Sequence, residues 1–180
     1  MRVITGSARG ARLATLEGMD TRPTTERIKE AVFSMLQFEI EGRRVLDLFA
    51  GSGQMGIEAL SRGAASAVFV DAGGPAAGVI RDNLSHVHME TTGSVRQEDA
   101  FLFLSRPVGP FDIAFVDPPY SQGLAERALP LLCRRMAPGG VVICETAGVD
   151  AMPQEAEGFR LCVKRDYGKT TIRVYRGAAE

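Results

Sequence analysis

The sequence predicts an α/β protein built on a doubly wound, mostly parallel sheet, and three observations carry that prediction. Short apolar runs alternate with stretches of helical spacing through the middle of the chain. A glycine-rich turn joins the first of these runs to the helix that follows it. Acids stand at the ends of the runs, where a parallel sheet gathers its ligand-binding edge.

The chain has 180 residues and 45% hydrophobic content, enough for one well-buried core and too little for two full domains. The expected organisation is an N-terminal β-hairpin extension over residues 1–20 and a main domain over 21–180. No apolar run approaches the roughly 18–20 residues needed to cross a bilayer, and MRVITGSARG lacks the apolar core of a signal peptide. A soluble cytoplasmic protein is expected. Cys133, Cys144 and Cys162 are widely spaced and odd in number, which argues for reduced thiols over a disulfide framework or a metal site. His86 and His88 have no third ligand nearby in sequence, so no metal is expected.

A net charge of −1 hides an asymmetry. Residues 1–13 carry Arg2, Arg9 and Arg12 and no acid, while residues 160–176 carry six basic residues against Asp166 alone. Two basic ends flank an acidic body. That is a footprint suited to a phosphate backbone, although basic residues that solvate edge strands would give the same pattern.

Taken in order, MRVIT and ARLATL alternate apolar with polar residues around Gly6-Ser7-Ala8-Arg9-Gly10, the pattern of a hairpin from which Arg2, Arg9 and Arg12 project. In TRPTTERIKEAVFSML, Pro23 and the threonines open a helix, and Ile28, Val32, Met35 and Leu36 recur at its period. Arg22, Thr24 and Thr25 lie at its start, where free backbone N–H groups can hold a carboxylate; an ordinary cap uses the same residues. The run Val45–Phe49 passes into Ala50-Gly51-Ser52-Gly53-Gln54-Met55-Gly56 and then a helical pattern, giving strand, turn and helix start. Further strands are expected at 67–71, 94–97, 112–117 and 141–145. FRLCVKRDYGKTTIRVYR closes the chain as two strands joined through Tyr167-Gly168-Lys169, an antiparallel hairpin.

The chemistry is concentrated at the strand ends. Gly51 and Gly53 allow a ligand to lie against bare backbone, and Gly56 allows close helix–strand packing. Asp71 follows at the distance at which an acid meets ribose hydroxyls. Asp47, on the strand before the glycines, suits a cationic ligand group better than a pyrophosphate, because like charges repel. This favours S-adenosylmethionine over a dinucleotide. Asp99, followed by Ala100, is placed to accept from an adenine amino group, or to cap a helix.

Asp117-Pro118-Pro119-Tyr120 forms a stiff corner, since neither proline donates to a ladder. It presents one carboxylate, outward carbonyls and a ring. An exocyclic amine is a poor nucleophile because its lone pair is delocalised. Acceptance of its N–H bonds by Asp117 and the Pro118 carbonyl would localise that pair and stabilise the developing positive charge. Tyr120 can stack on the base.

Together VLDLFAGSGQMGIEALSRGA, DPPY, TRPTTERIKEAVFSML and YGKT resemble the bacterial 16S ribosomal RNA guanine-N2 methyltransferase family over nearly the whole chain. The resemblance implies a seven-strand class I methyltransferase sheet, S-adenosyl-L-methionine as donor, and methylation of one guanine of 16S rRNA, within a small-subunit particle, by a monomer. It places Asp47, Gly51 and Gly53 on the methionine side, Asp71 at the ribose and Asp99 at the adenine, with Thr24, Ala50, Ser52, Ala72 and Ala100 as further cofactor contacts. Asp117 through Tyr120 would hold the guanine, with Arg2, Arg9, Arg12, Arg22 and Lys169 on RNA. This sequence departs from the pattern at Ala72-Gly73-Gly74-Pro75-Ala76-Ala77-Gly78, where bulkier or charged residues are usual. Two other readings stand beside it: an adenine-N6 or protein-amide methyltransferase of the same fold, and a non-catalytic RNA-binding or ribosome-assembly module.

Overall fold

The computed structural model describes residues 1–16 and 23–179. Five strands form the parallel part of the sheet: β1 (Arg44–Leu48), β2 (Ser66–Asp71), β3 (Gly93–Gln97), β4 (Phe111–Val116) and β5 (Met136–Ala147). Helices α1 (Pro23–Met35), α2 (Gln54–Ser61), α3 (Gly74–His86), α4 (Ala100–Ser105) and α5 (Leu124–Cys133) precede or connect them. The chain closes with β6 (Glu155–Ala156), β7 (Phe159–Tyr167) and β8 (Thr170–Gly177). The strand order is β3-β2-β1-β4-β5-β8-β7-β6, with β8 antiparallel to both β5 and β7. This is the expected doubly wound sheet and terminal hairpin. The eighth strand, not read from the sequence, is a two-residue edge pairing to β7 that is too short to show a periodicity.

The central strands β1, β4 and β5 are largely buried on both faces, because helices cover each and side chains alternate along every strand. Val45 and Phe69 point into a core shared with Ile28, Val32, Ile57 and Ile80 of α1, α2 and α3. Leu46, Leu48 and Val70 point the other way, toward Leu104 of α4 and Leu129 and Leu132 of α5. Glycine matters at one helix–strand contact. A Cβ on Gly56 would lie 2.3 Å from the buried Phe69 ring, so α2 can approach β2 this closely only without a side chain there.

The N-terminal residues fold back as the hairpin pattern suggested, but as a tight turn with a single bridge, Arg2 to Arg12, and no extended strands. The turn is packed into the molecule: Val3 and Leu13 are buried in the first core. Glu58, fully buried on α2, accepts from the Ile4 and Thr5 amides and pairs with the buried Lys29, whose ammonium donates to the Arg2 carbonyl. Loss of hydration holds the Lys29 pKa below its ordinary value, against the pull of Glu58. Arg2, Arg9 and Arg12 are exposed on the outer side of this turn.

Candidate active site

Strands β1 and β4 are neighbours in register, Asp47 opposite Phe115 and Leu48 opposite Val116. The segments that leave their carboxyl ends, the glycine loop and the proline corner, therefore start side by side, and the Asp117 amide donates to the Leu48 carbonyl. Both open into one cavity of about 670 Å³. Its walls include Gly51, Asp71, Ala72, Asp99 and Ala100 at one end and Asp117, Pro118, Pro119 and Tyr120 at the other.

The glycine loop is shaped by its backbone. Gly51 (φ 56°) and Gly53 (φ 77°) both adopt the left-handed conformation, and a Cβ on Gly51 would meet nothing within 4 Å, so its open side faces the cavity. Asp71 at the end of β2 fixes the loop. One carboxylate oxygen accepts from the Gly51 amide and the other from the Gly73 amide, each at 2.9 Å. The departure at 72–78 becomes part of the wall: Pro75 and Ala76, in the first turn of α3, line the cavity beside Ala72 and Gly73. Small residues here leave room for a flat apolar group.

Asp47 lies behind the loop. It is 3% exposed, is absent from the cavity wall, and its Oδ2 accepts from the Gly56 amide at the start of α2 at 2.9 Å. Burial raises its pKa to about 7, with the Gly56 N–H opposing and the charge of Asp71 adding to the rise. Ala50, Ser52 and Gly53 also sit behind the wall, while Asp99 caps α4, its Oδ1 accepting from the Phe101 and Leu102 amides. Thr24 and Arg22 fall on the residues whose side chains lie outside the described part of the chain.

At the proline corner, Pro118 is buried and Tyr120 is 39% exposed. The Tyr120 hydroxyl donates to Glu145 Oε1 at the end of β5 and lies 2.9 Å from Thr170 Oγ1 at the start of β8, which fixes the ring while leaving its face open. Among the described residues the Asp117 carboxylate has no hydrogen-bond partner. It is exposed to the open cavity, flanked by walls that limit its hydration, and the charges of Glu145 and Asp47 act on it. Desolvation first, then those two charges, hold its pKa well above the usual carboxylate range. The Glu145 pKa is raised as well, by its own burial, with the Tyr120 hydroxyl opposing.

Three contributors went unread in the sequence. Glu145 ends the run VVICE just as Asp71 and Asp117 end theirs, so the same signal was present. Thr170 lies within YGKT, a segment marked only by resemblance. Phe49, at φ 63° in the cavity wall, carries no sequence signal, because it reads as the last apolar residue of its strand. Lys169 is exposed next to Thr170. No helix among the described residues is long and apolar enough to cross a membrane.

The family profile described as conserved hypothetical protein 95 matches residues 1–176. A Bacillus subtilis protein, YlbH, is 35% identical, with 98% of each chain covered. Ribosomal RNA small subunit methyltransferase D of Haemophilus influenzae is 33% identical, covering 98% of this chain and 93% of its own. Among solved structures, yhhF of Escherichia coli superposes with a TM-score of 0.88 at 31% identity, covering 100% of this chain and 99% of its own. An RNA methyltransferase of Salinibacter ruber in complex with S-adenosyl-L-homocysteine shares the fold, with a TM-score of 0.69 at 16% identity, covering 88% of this chain and 95% of its own. The sheet order, the glycine loop and the proline corner thus belong to a class I methyltransferase fold, and the chain is a member of the conserved hypothetical protein 95 family, alongside the ribosomal RNA small subunit methyltransferase D proteins.

Proposed function

We propose that this protein transfers a methyl group from S-adenosyl-L-methionine to the exocyclic N2 amine of a guanine in 16S rRNA of the small ribosomal subunit. The observation that carries the reading is the single cavity shared by the glycine loop and the Asp117 carboxylate, which has no hydrogen-bond partner among the described residues. The relatives' names support an rRNA substrate, and the fold supports the donor.

The residues present fit the donor. The open side of Gly51 takes its backbone-hugging part, Asp71 and Asp99 keep free lone pairs for the ribose and adenine donors, and Ala72, Pro75 and Ala76 flank a flat ring. When bound, S-adenosyl-L-methionine supplies an electrophilic methyl on a sulfonium.

The chain's own groups act on the acceptor. Asp117 and the Pro118 carbonyl accept the two N–H bonds of the amine, drawing its lone pair out of conjugation and stabilising positive charge as the new C–N bond forms and the methyl–sulfur bond breaks. The now acidic N–H then loses its proton to solvent. The second oxygen of Asp117 is free for the neighbouring guanine N1–H, whereas adenine offers a lone pair at that position, which an ionised carboxylate repels. Tyr120, tethered by Glu145 and Thr170, is a fixed stacking platform, a contact worth roughly 1–3 kcal/mol per base. Holding the amine in line with the methyl supplies the largest share, on the order of 7–11 kcal/mol. The base reaches this cavity only when turned out of its stack. Arg2, Arg9, Arg12, Arg22 and Lys169 are assigned to the RNA backbone.

The test is labelled methyl transfer to small-subunit particles from an unmodified strain, followed by nucleoside analysis. N2-methylguanosine is the expected product. N6-methyladenosine would overturn the choice of acceptor, and no S-adenosylmethionine binding at high micromolar concentration would leave a binding module.

A further inference from the structure

A second cavity, of about 550 Å³, lies far from the glycine loop. It is lined below by the starts of strands, Arg44 of β1, Ser66 of β2 and Phe111 of β4, and above by Arg96 and Glu98 at the end of β3, level with Val70 and Asp71. The floor at the strand starts lies one strand length, about 16 Å, below the active-site edge, and Arg96 stands between the two levels. The cavity exists because α4 has only six residues and leaves the lower part of this sheet face uncovered, with the half-buried Val68 on its floor.

Three guanidinium groups frame it: Arg44, Arg96 and Arg106. The nearby acids are already engaged. Asp112 holds Arg44 through two hydrogen bonds, and Glu98 pairs with Arg106. Arg96 is exposed, and among the described residues no carboxylate pairs with it. An arginine on an edge strand such as β3 can serve merely to discourage strand pairing. Here it overhangs a cavity of nucleotide size, beside two further guanidinium groups whose own charges are balanced, so the unmatched positive charge faces the opening.

We infer that this groove is a second RNA contact, in which Arg96 takes a phosphodiester and the apolar floor takes the attached nucleoside. The inference rests on the rRNA reading above and adds a contact surface to it. An anionic chain long enough to enter the active site and cross the sheet face meets the two places in succession. The arginines of the N-terminal turn stand on the other face, over α1 and α2. The RNA is therefore gripped from both faces of the sheet.

The test compares Arg96→Glu and Arg96→Gln with the parent chain in equilibrium binding to protein-free 16S transcript and to small-subunit particles over a range of salt concentrations. Arg96→Glu should weaken binding to both by roughly tenfold, and Arg96→Gln should lower the salt slope by about one. Affinity for S-adenosylhomocysteine and the melting temperature should not move. Unchanged affinity of both variants for both RNAs overturns the groove. A loss confined to particles assigns it to a ribosomal protein instead, and also overturns it. If the parent chain itself binds neither RNA, the rRNA reading fails and the groove falls with it.

Discussion

Asp117→Asn separates chemistry from structure at this site. The substitution keeps the side-chain volume and replaces an acceptor-only group with one carbonyl and one amide donor, which would face the donors of the incoming amine. Asp117 has no hydrogen-bond partner within the described protein, so nothing in the fold loses an interaction. Removal of one preorganised group aimed at developing charge costs about 10²–10³ in kcat, or roughly 2.7–4 kcal/mol. The cofactor end of the cavity, held by Asp71 on the Gly51 and Gly73 amides, is untouched, so affinity for S-adenosylhomocysteine should stay within about twofold.

Stability should move the opposite way from rate. The folded protein holds the Asp117 pKa above its unfolded value, so its contribution to stability is complete below the ordinary carboxylate pKa and is lost as pH rises through the raised one. The asparagine variant escapes that loss and should melt no lower than the parent at neutral pH. The parent's single-turnover rate should climb with pH as Asp117 ionises, and the variant's should lack that limb. Single-turnover transfer of labelled methyl, calorimetry with S-adenosylhomocysteine and thermal melting read the three quantities. A rate within about threefold of the parent, or a cofactor affinity lost by the same factor as the rate, would refute the assignment of Asp117 to the acceptor.

Three further outcomes follow from the packing. Asp47→Asn should flatten the pH dependence of stability: the buried carboxylate, raised to about 7, costs the parent on the order of 4 kcal/mol once ionised, a loss accrued between about pH 4 and 8 and visible in denaturant midpoints. Gly56→Ala should destabilise by about 1–3 kcal/mol in urea titration, because the added methyl meets the Phe69 ring. Asn83 is buried on α3 and bonds the Ala14 amide and carbonyl and the Ser52 carbonyl, tying the N-terminal segment to the glycine loop. Asn83→Leu should raise KM for S-adenosylmethionine several-fold while kcat changes less, a split that global destabilisation would not give.

The sheet was legible because its strands are short apolar runs with breaks between them, and the ends of those runs made it legible that Gly51, Asp71 and Asp117 would come to one cavity wall. Asp47 was read as facing the ligand, since sequence fixes its place on the strand but not which way it points. Alternation along β1 puts it on the face covered by α2, where the Gly56 amide meets it. Asn83 and Glu58 were invisible for a related reason. The N-terminal partners of Glu58 and Asn83 lie 54 and 69 residues away, and no local spacing announces them.

Four neighbouring strands end in or near a carboxylate: Asp47 on β1, Asp71 on β2, Asp117 after β4 and Glu145 on β5. Their partners divide the labour among them. Asp47 and Asp71 accept from backbone amides, so their negative charge is spent on the shape of the glycine loop, and Glu145 accepts from Tyr120 and holds the ring. Of the four, Asp117 alone has no donor among the described residues. A carboxylate exposed to the cavity among other carboxylates, with its pKa raised, is most readily ionised by a ligand that brings N–H donors and develops positive charge. Under the proposed reaction an exocyclic amine being methylated would do both, and the raised pKa of this corner would become preference for the transition state over the ground state.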